Sequence, residues 1–95
     1  MLRFFLRALC LVLALALLPD SVEAESQVSR DQAEMTALQL VPGGAVVNSS
    51  LERDGRRLVW WVDISIPGSR NVKAIHVDAR TGAVLSNAVE APEDR

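Results

Sequence analysis

The stretch Arg57-Leu-Val-Trp-Trp-Val-Asp-Ile-Ser-Ile66 carries both tryptophans of a chain in which only 4% of residues are aromatic, and its reading decides the fold. Taken with period two, Leu58, Trp60, Val62, Ile64 and Ile66 fall on one side, all apolar. Arg57, Val59, Trp61, Asp63 and Ser65 fall on the other, a mixture that can meet water or a partner. Strict alternation with β-branched and aromatic residues marks a strand buried on one face. That apolar face requires cover, and the flanking segments are read for what supplies it.

Upstream, Ser29-Arg-Asp-Gln32 fits a capping box, in which the serine hydroxyl and the glutamine side chain satisfy free backbone groups at a helix start. Val28 and Ala33 stand where a hydrophobic staple would place them. Ala33, Ala37 and Leu40 or Val41 recur at helical spacing, with Met35 and Leu38 widening the stripe. Pro42-Gly43-Gly44 stops the helix, since proline cannot continue it and glycine tolerates the exit conformation. The spacing predicts one amphipathic helix over Asp31 to Leu40.

Between helix and central strand, Ala45–Arg53 alternates weakly and Asp54-Gly55 is a hairpin signal. With Asp54-Gly55 as the two turn residues, Leu51 faces Leu58, Ser49 faces Trp60, Val47 faces Val62 and Ala45 faces Ile64. The reverse face then pairs Glu52 with Arg57 and Asn48 with Trp61. Downstream, Pro67–Asn71 is a loop, and Val72–Asp78 is a third strand with Ile75 and Val77 on one face. Asp78-Ala-Arg-Thr-Gly82 is a tight turn, with Gly82 left-handed and the Asp78 carboxylate accepting backbone hydrogen bonds. Val84–Val89 returns as an edge strand whose register a three- or four-residue loop leaves open. The expected class is α+β: one N-terminal amphipathic helix packed on one face of a three- to four-stranded antiparallel meander, preceded by a signal peptide.

The leader reading rests on the first 24 residues. Arg3 and Arg7 precede the apolar run Ala8–Leu18, Pro19 and Asp20 break it, and Ser21-Val-Glu-Ala24 offers a cleavage site. That run is about half the roughly 20 residues a membrane-spanning helix needs. Residues 1–24 are therefore expected to be a signal peptide cleaved near Ala24, residues 25–29 a polar lead-in, 30–89 the domain and 90–95 a polar, frayed tail. The membrane enters only through the signal peptide, and the expected location is periplasmic or secreted.

Composition narrows the function. The only cysteine, Cys10, lies in the apolar run, so the exported part has no disulfide and no thiolate metal site. Net charge is −2 and the arginines are scattered, which leaves no basic footprint for nucleic acid. His76 is the only histidine, too few donors for a zinc site, and on its strand it falls with Val72, Ala74 and Asp78. Asp54 and Asp78 are explained by turns, and Ser49, Ser50 and Ser65 have no activating histidine beside them in the expected fold. No catalytic residue, cofactor or metal is expected, and the protein is not expected to be an enzyme. One helix cannot cover both faces of a sheet. The mixed face is thus the expected partner surface, with Trp61 and Val59 as anchors, Asn48 beside them and Arg57 and Arg70 as a rim. An unpaired strand edge offers a second route to a partner.

The same residues, in order, resemble the PepSY domain family. The helix alanines Ala33 and Ala37 lead to Val41-Pro-Gly43. Val46-Val47 follows, then Val59-Trp-Trp-Val-Asp-Ile64, and the closing Val77-Asp-Ala-Arg-Thr-Gly-Ala-Val-Leu85 is the most specific segment. The likeness spans Gln32 to Leu85; the family commonly has tyrosine where Trp60 stands and an aliphatic residue near Thr36. It implies a non-catalytic, exported, bacterial protein-binding module of the kind found in propeptides of secreted thermolysin-type metalloproteases, restraining or modulating a peptidase in the cell envelope. Two other roles fit the same fold: a periplasmic accessory or sensory partner of a signalling protein, and a small structural homodimer that pairs edge strands or buries Trp61 twice.

Overall fold

The alternation of the tryptophan stretch becomes the second strand of a four-stranded sheet. The computed structural model describes residues 26–91. They form α1 (Arg30–Gln39), β1 (Ala45–Asp54), β2 (Arg57–Ser65), β3 (Val72–Asp78) and β4 (Val84–Glu90). The strands pair antiparallel in chain order, β1-β2-β3-β4. The leader expected over residues 1–24 and the end of the tail lie outside the described residues. No helix among the described residues is long and apolar enough to cross a membrane.

The helix starts where its capping box places it. The Gln32 amide donates to the Ser29 hydroxyl, and the Ser29 amide donates to the Gln32 side-chain carbonyl. Caps of this kind contribute about 1 kcal/mol each. Ala33 and Ala37 are fully buried, and their small side chains let the helix lie close against Leu58, Trp60, Val62, Ile64, Ile75 and Val77 in one core. Leu38 packs at the edge of that core, whereas Met35 and Leu40 point to solvent, so the buried stripe is narrower than the expected one. Val41 takes the place offered to Leu40 because Leu40 is already the C-cap and the chain turns there. Val41-Pro42-Gly43-Gly44 is a type II turn: the Gly44 amide donates to the Val41 carbonyl (2.9 Å) and Gly43 has φ +80°.

The first hairpin departs from the expected register. Asp54 pairs with Arg57, so Gly55 and Arg56 are the turn residues. Only Gly55 has positive φ (+65°), which is the type II′ arrangement with glycine first. The type I′ turn implied by Asp54-Gly55 would have required Asp54 itself at positive φ. The pairing therefore slips by two residues: Leu51 faces Trp60, Ser49 faces Val62, Glu52 faces Val59 and Asn48 faces Asp63. A slip of two keeps the side chains from Asn48 to Arg53 on their expected faces, whereas Val46, not Ala45, faces Ile64 and Ala45 faces Ser65 on the outer side. A bulge between Val46 and Asn48 then throws Val47 out to solvent instead of opposite Val62.

The turn after β3 follows its sequence. The Asp78 carboxylate accepts from the amides of Arg80 (2.8 Å) and Thr81 (3.1 Å), and Gly82 stands at φ +81° with its amide on the Asp78 carbonyl (2.8 Å). These amides hold the Asp78 carboxyl below the ordinary carboxylate range, with the positive charges of Arg57 and Arg80 adding to the effect. A lowered folded-state value stabilises the fold above the unfolded value, about 3.9, and that contribution fades as pH falls through the folded value. Asp78→Ala should cost about 1–2 kcal/mol at neutral pH, and the gap from wild type should narrow at about pH 2.5. Urea unfolding at the two pH values measures it, and a gap that does not change with pH would contradict the assignment.

Residues before the helix do more than lead in. The amides of Gln27 and Val28 both donate to the Ala79 carbonyl (3.1 and 2.8 Å), and the Ser26 hydroxyl donates to the Val28 carbonyl. The Trp60 indole N–H also donates to that Val28 carbonyl, at 2.7 Å. The Arg30 guanidinium lies 5.0 Å from the Trp60 ring centroid. This segment closes the end of the core that the helix leaves open.

Candidate functional site

Cross-strand pairing decides what stands on the sheet face away from α1. Residues directly opposite one another share a face, so Ser50, Trp61, His76 and Ser86 form one row across all four strands. Asn48, Asp63, Ala74 and Ala88 form the next row, and Glu52, Val59 and Asp78 the one on the hairpin side. Trp60 is 2% exposed beneath the helix and Trp61 is 44% exposed on this outer face. Two adjacent residues of one type thus meet opposite environments, as the pleat dictates.

Trp61 does not stand alone. Its ring stacks on the imidazole of His76 with centroids 4.4 Å apart and planes 17° from parallel. An offset stack of this kind is worth about 0.5–1.5 kcal/mol beyond burial and holds the indole in one orientation. A held aromatic loses less freedom on binding than a mobile one, which suits it to an anchor. Toward the hairpin, Arg57 Nε lies 3.7 Å from Asp78 Oδ2, a long contact between an exposed guanidinium and a half-buried carboxylate.

The expected surface residues divide. Asn48 and Arg57 are exposed on the same face as Trp61. Val59 is on that face but only 2% exposed, so it is no contact residue. It is boxed in by its place in the strand pattern, with Arg57 and Trp61 on either side along β2 and Glu52 and Asp78 directly across. Arg70 is exposed in the β2–β3 loop, at the opposite end of β2 from Arg57. At about 3.3 Å per residue the two ends of β2 are some 25 Å apart, so Arg57 and Arg70 do not rim one compact patch. Asp63, expected on the mixed face that can meet water or a partner, is largely buried. His76 is the residue that the expected surface lacked. Its face was legible from β3, but its partner depended on a β2–β3 register that a six-residue connection does not specify.

Chemistry is sparse here. No group of three or more histidine, cysteine, aspartate or glutamate side chains is placed to hold a metal among the described residues. No buried side-chain nitrogen or oxygen among them lacks a hydrogen-bond partner. What the face presents is an oriented aromatic pair, hydroxyl and amide groups around it, and an arginine at one end. Residues 27–87, from just before α1 into β4, match the family model described as peptidase propeptide and YPEB domain. Neither the curated proteins nor the solved structures contain a match to the chain.

Proposed function

This chain belongs to the PepSY family, and on that footing we propose that it is an exported, non-catalytic module that docks on a peptidase of the cell envelope and modulates its activity. The observation that carries the reading is the Trp61–His76 stack, exposed on a sheet face that the helix leaves uncovered. Trp61 is the anchor, Asn48 and Arg57 supply polar contacts on the same face, and Arg70 engages a partner only if that partner reaches the far end of β2. Residues 1–24 serve as the export signal, cleaved near Ala24, and deliver the domain of residues 30–89 to the periplasm or the exterior.

The test is binding and cleavage rate with a panel of secreted and envelope metallopeptidases of the thermolysin type. Binding should be lost by about 2 kcal/mol, roughly thirtyfold, in Trp61→Ala, with the fold intact by circular dichroism. No binding and no change in cleavage rate across the panel would remove the peptidase reading. Binding that Trp61→Ala leaves untouched would remove this face from it.

A further inference from the structure

The two edges of the sheet are not alike. At β1 the Arg30 guanidinium donates to the Ser49 carbonyl (2.6 Å) and to the Ser49 hydroxyl (2.8 Å). That hydroxyl in turn donates to the Glu34 carboxylate (2.6 Å). Beyond this clasp from α1, the bulge at Val47 interrupts the β1 ladder and Glu52-Arg-Asp54 charges its far end. Bulges, charges and a covering helix are the means by which edge strands avoid pairing with other chains.

On β4 such devices are confined to its two ends: an irregularity at the start, where Val84 pairs with Val77 and Ser86 with His76, and the charge of Glu90 at the finish. From Ser86 to Val89 the strand is regular, uncharged and free of proline, and it is exposed along this stretch. Val84, Leu85 and Val89 are all exposed apolar residues. No strand lies beyond β4 among the described residues, so its outer backbone groups are left for another chain.

We infer that β4 pairs with β4 of a second copy, antiparallel about a two-fold axis at Asn87, to give one continuous eight-stranded sheet. The occupant follows from self-complementarity. An axis at Asn87 sets Leu85 of each copy opposite Val89 of the other, an apolar pair made twice. It also brings the one charge of the strand, Glu90, to the end of the neighbouring β4 that adjoins the turn carrying the exposed Arg80. The arrangement keeps both helices on one side and leaves both Trp61–His76 stacks open on the other, so it is independent of the peptidase reading. One short strand pair is a narrow contact, and the dimer is expected in the micromolar range.

Protein purified from cells expressing the full chain should pass from monomer to dimer in sedimentation velocity between about 1 μM and 1 mM. Leu85→Lys and Val89→Lys, both at exposed positions, should each weaken the dimer at least about tenfold by setting a charge against an apolar partner. Val47→Lys, an equally exposed apolar residue on the other edge, should leave it unchanged. In a Cys10→Ala background, Asn87→Cys should form an intermolecular disulfide under mild oxidation, because directly opposed residues stand within bonding reach, and Val47→Cys should not. A monomer throughout the range, a dimer indifferent to both lysines, or a dimer broken equally by Val47→Lys would overturn the inference.

Discussion

Trp60→Ala should leave the domain largely unfolded at room temperature, whereas Trp61→Ala, one residue away, should cost no more than about 1.5 kcal/mol. Trp60 is almost wholly enclosed in the core, its indole N–H donates to the Val28 carbonyl, and its ring underlies Arg30. Removing a buried tryptophan typically costs about 3–5 kcal/mol. Here the pre-helix segment loses one of its links to the core as well. Stability of small domains is near the low end of about 5–15 kcal/mol, so a loss of that size takes most of it. Trp61→Ala removes only the stack on His76 and some exposed area. Thermal melts of the two variants, followed by far-ultraviolet circular dichroism, measure the contrast. Equal losses would mean that the two faces of β2 are not distinct.

The second large effect is expected at Gly44. A Cβ built there would lie 2.5 Å from Ile64 Cγ2, 2.7 Å from the Ser65 carbonyl oxygen and 2.8 Å from Val41 Cγ1. One of those neighbours is backbone of the central strand and the other two belong to the core, so none can swing away cheaply. Gly44→Ala should therefore cost about 1–3 kcal/mol, the range for overpacking a well-filled interior. Gly55→Ala makes a useful contrast, because nothing lies within 4 Å of its added carbon and only its positive φ is strained. Urea midpoints for the pair separate the two causes. A smaller loss for Gly44→Ala than for Gly55→Ala would show that the chain around Gly44 can give way.

Gly44 also shows where reading the sequence stopped. As part of Pro42-Gly43-Gly44 it was legible as a helix stop, but its close approach to Ile64 joins segments twenty residues apart, and local pattern carries no such information. The same limit appears in the first hairpin. The face of every β2 residue, and of β1 from Asn48 onward, was legible because side-chain direction alternates with period two, but the bulge that reverses Ala45 and Val46 and expels Val47 has no local signal. The pairing was not legible, because Asp-Gly fits two turn types that differ by two residues in register. At the site, the outward position of Trp61 was legible from alternation. The burial of Val59 depends on neighbours from three strands, and the Trp61–His76 stack depends on a register with no local signal. The pins from Gln27 and Val28 onto Ala79 are backbone contacts, to which residue type is nearly indifferent.

That one face of β2 is shielded by α1 while the other stands open to a partner is tested most directly by acrylamide quenching of the two single-tryptophan variants, Trp61→Phe and Trp60→Phe. The protein that keeps Trp60 should resist quenching and emit at shorter wavelength, and the one that keeps Trp61 should be quenched readily. The reverse pattern, with Trp61 protected and Trp60 accessible in folded protein, would contradict the account.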